Sequence, residues 1–531
     1  MTRRLIHILS LFILLSACAQ TQSTPVPTES ATPPVTAEPP TNWWKDAIFY
    51  EIFVRSFYDT DGNGIGDFNG ITQKLDYLND LGITAIWLMP VHPSPSYHGY
   101  DVTNYYDVNP DYGSLEDFRQ LIHKAHERNI RIIIDLVLNH TSSEHPQFIE
   151  ANNDPQSAYR DWYIWSETSK GTYWHKGQNG YYFGYFQDGM PDLNFRNSKV
   201  TTELQNIVRF WLNEVGVDGF RIDAAKHLIE EDGKVENTTS THDWYKGFYE
   251  YYKSINGAAY TIGEAFGAGA FIAKTYENQF DHVFNFELAS GLMSSAHTGT
   301  NTPINSAIKF ALKDKSDFNF ATFLTNHDQN RAMSVFNGEV GKVTVAATLL
   351  LTSPGTPFIY YGEEIGMQGR KPDEDIRLPM QWSAEANAGF TTGIPWRAPA
   401  EDYPQVNVAA QDGDSSSVLH HYRTLIQLRN ENSALRGGGL ALIETGNSGV
   451  YAVLRSMADR QVLVIVNLRN APISDYQLTL NESLLPDGTL MPRSLFGTID
   501  AIPVTIAEGK FSKYKPTPEL APYQSYIFEI E

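Results

Sequence analysis

Three acidic residues stand where a carboxylate can do chemistry rather than solvate a surface. Asp223 closes a strand-like run, residues 217–222, inside Gly216-Val-Asp-Gly-Phe-Arg-Ile-Asp-Ala-Ala-Lys-His227. Arg221 lies two positions earlier, and a cation beside the carboxylate keeps it ionised, as a nucleophile must be. A strand-end ion pair is also an ordinary structural device, so the placement matters only if it recurs. It does: Glu264 follows Tyr260-Thr-Ile-Gly263, and Asp328 ends Leu324-Thr-Asn-His-Asp328. Clustered carboxylates suit glycosidic bond cleavage, one ionised as nucleophile and one protonated to release the leaving oxygen. Glu264 has no cation near it in sequence, which gives it the proton-carrying role. A separate stretch, Asp59-Thr-Asp61-Gly-Asn63-Gly-Ile65-Gly-Asp67, carries oxygen donors at alternate positions, with glycines that let the chain wrap tightly. Hard oxygens, including one main-chain carbonyl, are the logic of a calcium loop. The expected donors are Asp59, Asp61, Asn63, Ile65 and Asp67, and the distal glutamate of an EF-hand is missing.

Residues 223, 264 and 328 meet only if the fold gathers strand ends. Strand-like segments fall at 47–54, 84–89, 131–138, 217–222, 260–263, 282–286, 320–324 and 357–361. Helical periodicity marks 71–81, 115–128 and 201–214 between them. Unbroken apolar runs such as Ile132-Ile-Ile134 suit parallel strands covered on both faces. The pattern predicts an α/β chain, a closed (β/α)8 TIM barrel whose C-terminal strand ends share one face. Alternation lapses over 141–199, which reads as a small inserted domain after strand three. Its Trp162, Trp165, Tyr173 and Trp174 either stack on sugar rings or form its core. The barrel therefore occupies 42–140 and 200–434, and short Val- and Tyr-rich strands over 435–531 predict a C-terminal antiparallel β domain.

A chain of 531 residues has room for these domains, and its net charge of −22 argues against a nucleic-acid partner while suiting a neutral polymer. The single cysteine, Cys18, follows Arg3, Arg4 and an apolar run over 5–15. Leu15-Ser-Ala-Cys18 resembles a bacterial lipobox, which implies a lipoprotein signal peptide over 1–18 and a lipid anchor on Cys18. Residues 19–41, rich in Thr, Pro and Ser, read as an extended tether. The expected location is extracytoplasmic, lipid-anchored to the cell envelope or secreted, and the expected state is a monomer.

Four motifs resemble those of the alpha-amylase family, family 13 of the glycoside hydrolases. They are Asp135-Leu-Val-Leu-Asn139-His140, Gly219-Phe-Arg-Ile-Asp-Ala-Ala-Lys-His227, Gly263-Glu264 and Phe323-Leu-Thr-Asn-His-Asp328. The resemblance covers essentially everything from Trp43 onward. It implies Asp223 as nucleophile, Glu264 as acid/base and Asp328 as transition-state stabiliser, with retention through a glycosyl-enzyme intermediate. It also implies that Tyr100, His140, Arg221 and His327 hold the attacked glucose, together with His98 and Asp101 of Tyr97-His-Gly-Tyr-Asp101. The Asp59–Asp67 loop is similar to the calcium loop of oligo-1,6-glucosidase-like members. A second calcium site, common in alpha-amylases, would use Asn139, Asp192 and the His227 carbonyl.

Signals within the family are mixed. Pro379-Met-Gln-Trp382 and Asn387-Ala-Gly-Phe-Thr-Thr-Gly393 resemble exo-acting oligo-1,6-glucosidases. Lys226 and His227 resemble alpha-amylase residues that contact a glucose on the leaving-group side, and Met190-Pro-Asp-Leu-Asn194 resembles an intermediate group containing secreted alpha-amylases. The expectation is an alpha-amylase cutting internal α-1,4 bonds of starch-like glucans, with Ca2+. The rivals are an exo-acting alpha-glucosidase, a 4-alpha-glucanotransferase and an inactive glucan-binding lipoprotein.

Overall fold

The computed structural model describes residues 42–267, 272–313, 319–458 and 460–530. The expected leader, Cys18 and the tether lie outside the described residues. Eight parallel strands close into a barrel in sequence order: β1 (Phe49–Ile52), β2 (Ala85–Leu88), β3 (Arg131–Leu136), β4 (Gly219–Ile222), β5 (Tyr260–Gly263), β6 (His282–Phe284), β7 (Phe320–Phe323) and β8 (Thr356–Tyr360). The first and last strands pair, Phe49 opposite Phe358, and this completes the ring. Side chains on these strands are buried almost without exception, as helices outside and packed residues inside require. Several expected strands run one to four residues longer than the paired segments. Val137 and Leu138 are fully buried beyond the last paired residue of β3, so apolarity continues after the ladder stops.

Capping residues set the helix starts. Asp67 accepts the Gly70 N–H to open Phe68–Leu81, and Ser114 and Asp117 bond reciprocally to open Leu115–His126. The helix before β4 begins at Ser198, capped by Asn197, earlier than its apolar period suggested. Its last turn widens to a π-helical Phe210–Val215 and stops at Gly216, whose φ of 94° only glycine adopts readily. That wide turn aims the chain into β4 and so places Arg221 and Asp223.

The inserted segment holds a helix, Pro146–Asn153, and a small antiparallel sheet of Trp165–Ser166, Gly180–Phe183 and Trp174–Gly177. A bridge between His140 and Asp192 pins it beyond the end of β3, and one between Tyr163 and Leu193 ties it to itself. The C-terminal region forms a five-stranded antiparallel sheet in the order Gly439–Leu442, Val450–Met457, Arg460–Asn467, Ser525–Ile530, Pro492–Phe496. Alternation along it divides two cores: Tyr451, Val453, Val462 and Val464 pack with the barrel, while Ala452, Leu454, Leu463 and Ile465 pack with the outer hairpins. No described helix is long and apolar enough to cross a membrane.

Candidate active site

The C-terminal strand ends open into a cavity of about 630 Å³ whose wall includes Asp223, Glu264 and Asp328. The barrel thus brings together three carboxylates that follow β4, β5 and β7. Arg221, buried on β4, organises them. One of its nitrogens, Nη1, donates to Asp135 Oδ1 at 2.8 Å and to Asp223 Oδ1 at 2.7 Å, while Nη2 lies 3.0 Å from Glu264 Oε2. This corrects the expectation that Glu264 lacks a cation. Strands β4 and β5 are neighbours, with Arg221 opposite Ile262, so a residue 43 positions back in the chain reaches the acid across the sheet.

The two carboxylates still differ. Asp223 accepts a hydrogen bond from Arg221, whereas Glu264 Oε2 accepts the Ala224 N–H at 3.1 Å and meets Arg221 only as an ion pair. Burial pushes both above the usual carboxylate range, against the pull of Arg221. Behind them, Asp135 is driven by burial to about 7, again opposed by Arg221. Asp328 is the contrast. Its side chain is 46% exposed, with Arg377 Nη2 at 2.9 Å and His327 Nε2 at 3.3 Å. Burial would raise its carboxyl too, but His327, Arg377 and Arg221 outweigh it and hold Asp328 low.

Of the other expected contacts, His98, Tyr100, His140, Lys226 and His227 line the cavity. Arg221, His327 and Asp101 do not; they stand behind the wall and order the groups that form it. Asp101 takes hydrogen bonds from the hydroxyls of Ser94 and Ser96 and lies 4.0 Å from His98 Nδ1. Burial lowers His140 to about 4, so its ring is neutral, with Nε2 3.2 Å from the Tyr100 carbonyl. Lys226 Nζ is held 2.7 Å from Glu236, and His227 stacks on Tyr185 at 3.9 Å.

Of the four aromatic residues of the insert, Trp162 and Trp165 join the core, while Tyr173 and Trp174 are half-buried outside it, and none lines the cavity. Trp165 packs on Phe148 beneath the Arg160 guanidinium, Trp162 is buried and Trp174 meets Phe183 edge-on. Tyr173 stacks on Tyr185 without reaching the cavity wall. The rings at the mouth are instead Phe186 of the insert and Phe266 after β5, 46% and 56% exposed. Neither sits in a periodic segment, though Phe266 follows Glu264 closely enough to have been suspected. Arg377, on a loop after β8, carried no signal at all.

Oxygen donors gather at two places. Carboxylate oxygens of Asp59, Asp61 and Asp67 lie within 4.8 Å of one another. The loop is shaped by its own bonds: Asp59 accepts from the amides of Asp61, Gly62 and Gly64 and from the Thr391 hydroxyl, and Asp67 from Thr60 and Gly70. Asn63 Oδ1 takes the Ile65 N–H at 2.7 Å. Asp59 already accepts four bonds, but each Asp61 oxygen accepts only one, from Asn63, and keeps a further lone pair, so the converging carboxylates fit a hard cation. At the other place Asn139 Oδ1 and Asp192 Oδ2 are buried without a partner, beside the Tyr185–His227 stack that Asp192 joins through the Tyr185 N–H. Orphaned buried oxygens of this kind fit a cation as well.

Residues 51–438 match the family model described as alpha amylase, catalytic domain. The chain is 44% identical over 435 residues to alpha-amylase 3 of Dictyoglomus thermophilum, covering 80% of this chain and 85% of the relative. It is 33% identical over 508 residues to an oligo-1,6-glucosidase of Parageobacillus thermoglucosidasius, covering 80% and 90%. Among solved structures, an alpha-amylase from H. orenii superposes with a TM-score of 0.80 at 38% identity, over 92% of this chain and all of the other.

Proposed function

The chain belongs to the alpha-amylase family of glycoside hydrolases, and within it we propose an endo-acting alpha-amylase that hydrolyses internal α-1,4 bonds of starch-like glucans. Asp223, hydrogen-bonded to Arg221, attacks the anomeric carbon. Glu264, less firmly held by that cation and raised by burial, delivers its proton to the leaving oxygen and then takes one from water. Asp328, kept anionic by His327 and Arg377, stabilises the positive charge that develops on the sugar. The gathering of both reacting acids on one guanidinium supports the close spacing of a retaining enzyme.

The single observation that carries endo action is that Lys226 and His227 share the cavity wall with the three acids. A substrate that touches them must extend past the cut. The competing exo signal weakens on the same ground: Met380, Gln381 and Trp382 are buried, and Trp382 donates to the Phe57 carbonyl, so that motif is packing. A calcium ion held by Asp59, Asp61, Asn63, Ile65 and Asp67 would tie this loop to the chain at Thr391, and one at Asn139 and Asp192 would brace the insert. The lipid anchor on Cys18 and an extracytoplasmic location belong to the same proposal, since a tethered enzyme suits polymers too large to import.

A product time-course on amylose, maltotriose, isomaltose and pullulan tests it. Mixed oligosaccharides appear early from amylose if the reading is right. Glucose alone makes the protein an exo-glucosidase, and products longer than the starting maltotriose make it a transferase.

A further inference from the structure

Glu51 lies on β1, buried, beside Trp87 of β2 and Tyr360 of β8 in the barrel register. It does not reach the cavity, and its Oε1 is 2.5 Å from His327 Nδ1. A carboxylate at that distance requires a hydrogen on Nδ1. The other ring nitrogen, Nε2, faces Tyr100 Oη at 2.7 Å and Asp328 Oδ2 at 3.3 Å. Tyr100 has one hydroxyl proton, and once Asp135 is ionised its Oδ2 at 3.1 Å takes it. The phenol oxygen then offers His327 only lone pairs, as does Asp328. Both are satisfied only when Nε2 also carries a hydrogen, which makes the ring an imidazolium. A buried cation needs a buried counter-charge, and Glu51 supplies one on the side away from substrate.

We propose that Glu51 is a positioning residue of the glycosidase centre: through His327 it maintains a charged donor that fixes Asp328 and Tyr100 for the attacked sugar. The proposal rests on the hydrolase reading above. Every element packed on the ring contributes. Glu51 faces it from β1, Tyr100 from the loop after β2, Asp135 of β3 through the tyrosine hydroxyl, and Asp328 from its own segment. Trp87 meets it edge-on at 5.5 Å. Arg377 opposes the charge, but its Nε donates to the His327 carbonyl at 2.9 Å and its Nη2 holds Asp328 Oδ1 at 2.9 Å. Asp328 is thereby gripped at both oxygens, by Arg377 on one and by the imidazolium on the other. Loss of the Nε2 proton leaves Asp328 and the tyrosine oxygen facing a lone pair, and the grip fails on the alkaline side.

The decisive variant is Glu51→Gln, which keeps an oxygen for Nδ1–H and removes the charge. An opposite charge at this range shifts a titration by about one to three units. The alkaline limb of kcat/KM on an aryl α-glucoside is therefore expected to move at least one unit toward lower pH, with activity near the acid limb changed less than about threefold. A uniform loss at all pH values, or an unmoved limb, overturns the proposal. Should the variant fail to fold, 15N spectra of histidine-labelled wild-type protein decide, with the signal assigned by its absence in His327→Gln. Two protonated ring nitrogens at pH 7 support the proposal; a neutral ring overturns it. Wild-type protein that cleaves no α-glucoside sinks the hydrolase reading, whereas an unmoved limb in an active Glu51→Gln sinks only this one.

Discussion

The strand-end cluster around Arg221 and the Asp59–Asp67 loop both concentrate carboxylates, yet they solve the problem of buried charge in opposite ways. In the loop, each acid is met by amides a few residues away, so short-range backbone bonds settle the charges. In the cluster, Asp135, Asp223 and Glu264 come from three strands and share one guanidinium. The consequence shows in the protonation equilibria. Burial would raise Asp59, but the Thr391 hydroxyl and the amides outweigh it and hold it low, while burial prevails at Asp223 and Glu264, and within the loop at Asp67. On the proposed function, the cluster is arranged for reactivity at some expense of stability.

Removing the reacting acids gives the largest separation between the two. Asp223→Asn, Glu264→Gln and Asp328→Asn are each expected to lower kcat by several orders of magnitude. A rate within tenfold of wild type, about 1.4 kcal/mol of barrier, removes that residue from its role. Stability should move the other way, and with pH. Glu264 is raised in the folded state, so folding binds its proton more tightly and stability falls as pH climbs from about 4 through the folded value. Glu264→Gln cannot ionise, so its melting temperature relative to wild type should be higher at pH 7 than at pH 4. The reverse trend would mean that the cluster is held like the loop.

Arg221→Met tests the shared cation. It leaves Asp135 and Asp223 buried without compensation, a loss of about 3–5 kcal/mol by denaturant unfolding. The cost should grow toward alkaline pH, because all three acids are then driven to ionise. A pH-independent cost below about 1 kcal/mol would show that water, not Arg221, balances the cluster.

How much of this the chain betrays in advance follows from the same contrast. Strand ends at 223, 264 and 328 and the loop donors are legible because each depends on spacing along a single segment. Arg221 serving Glu264, Glu51 serving His327 and Arg377 serving Asp328 are not, since each joins residues that meet only when the barrel closes. Likewise the helix at 201–214 was readable from its apolar period, while its start at Ser198 and its widened last turn were not; one cap and one extra residue per turn leave no periodic trace.

Asp59→Ala probes the other side of the comparison. It removes an acceptor of four donors and is expected to cost about 1–3 kcal/mol with kcat nearly unchanged. Because Asp59 is lowered in the folded state, its contribution is complete above about pH 4 and lost as pH falls below that. The difference from wild type should therefore shrink at pH 3, opposite in sign to Glu264→Gln. Excess chelator should lower the melting temperature of wild type and not of the variant if the loop carries calcium.

Lys226→Ala carries the smallest effect and the finest distinction. Its partner Glu236 is 46% exposed at the side chain, so losing that ion pair costs at most about 1 kcal/mol of stability. The variant removes neither a buried charge, as Arg221→Met does, nor a loop-shaping acceptor, as Asp59→Ala does. What it removes is a cavity-wall cation that, on the endo-acting proposal, only a substrate extending beyond the cleaved bond reaches. Activity on long maltodextrins should fall several-fold while an aryl α-glucoside is cleaved as before. Equal losses on both would place Lys226 with the groups that hold the acids in position, and would move the division between reactive cluster and substrate contact inward to the three carboxylates themselves.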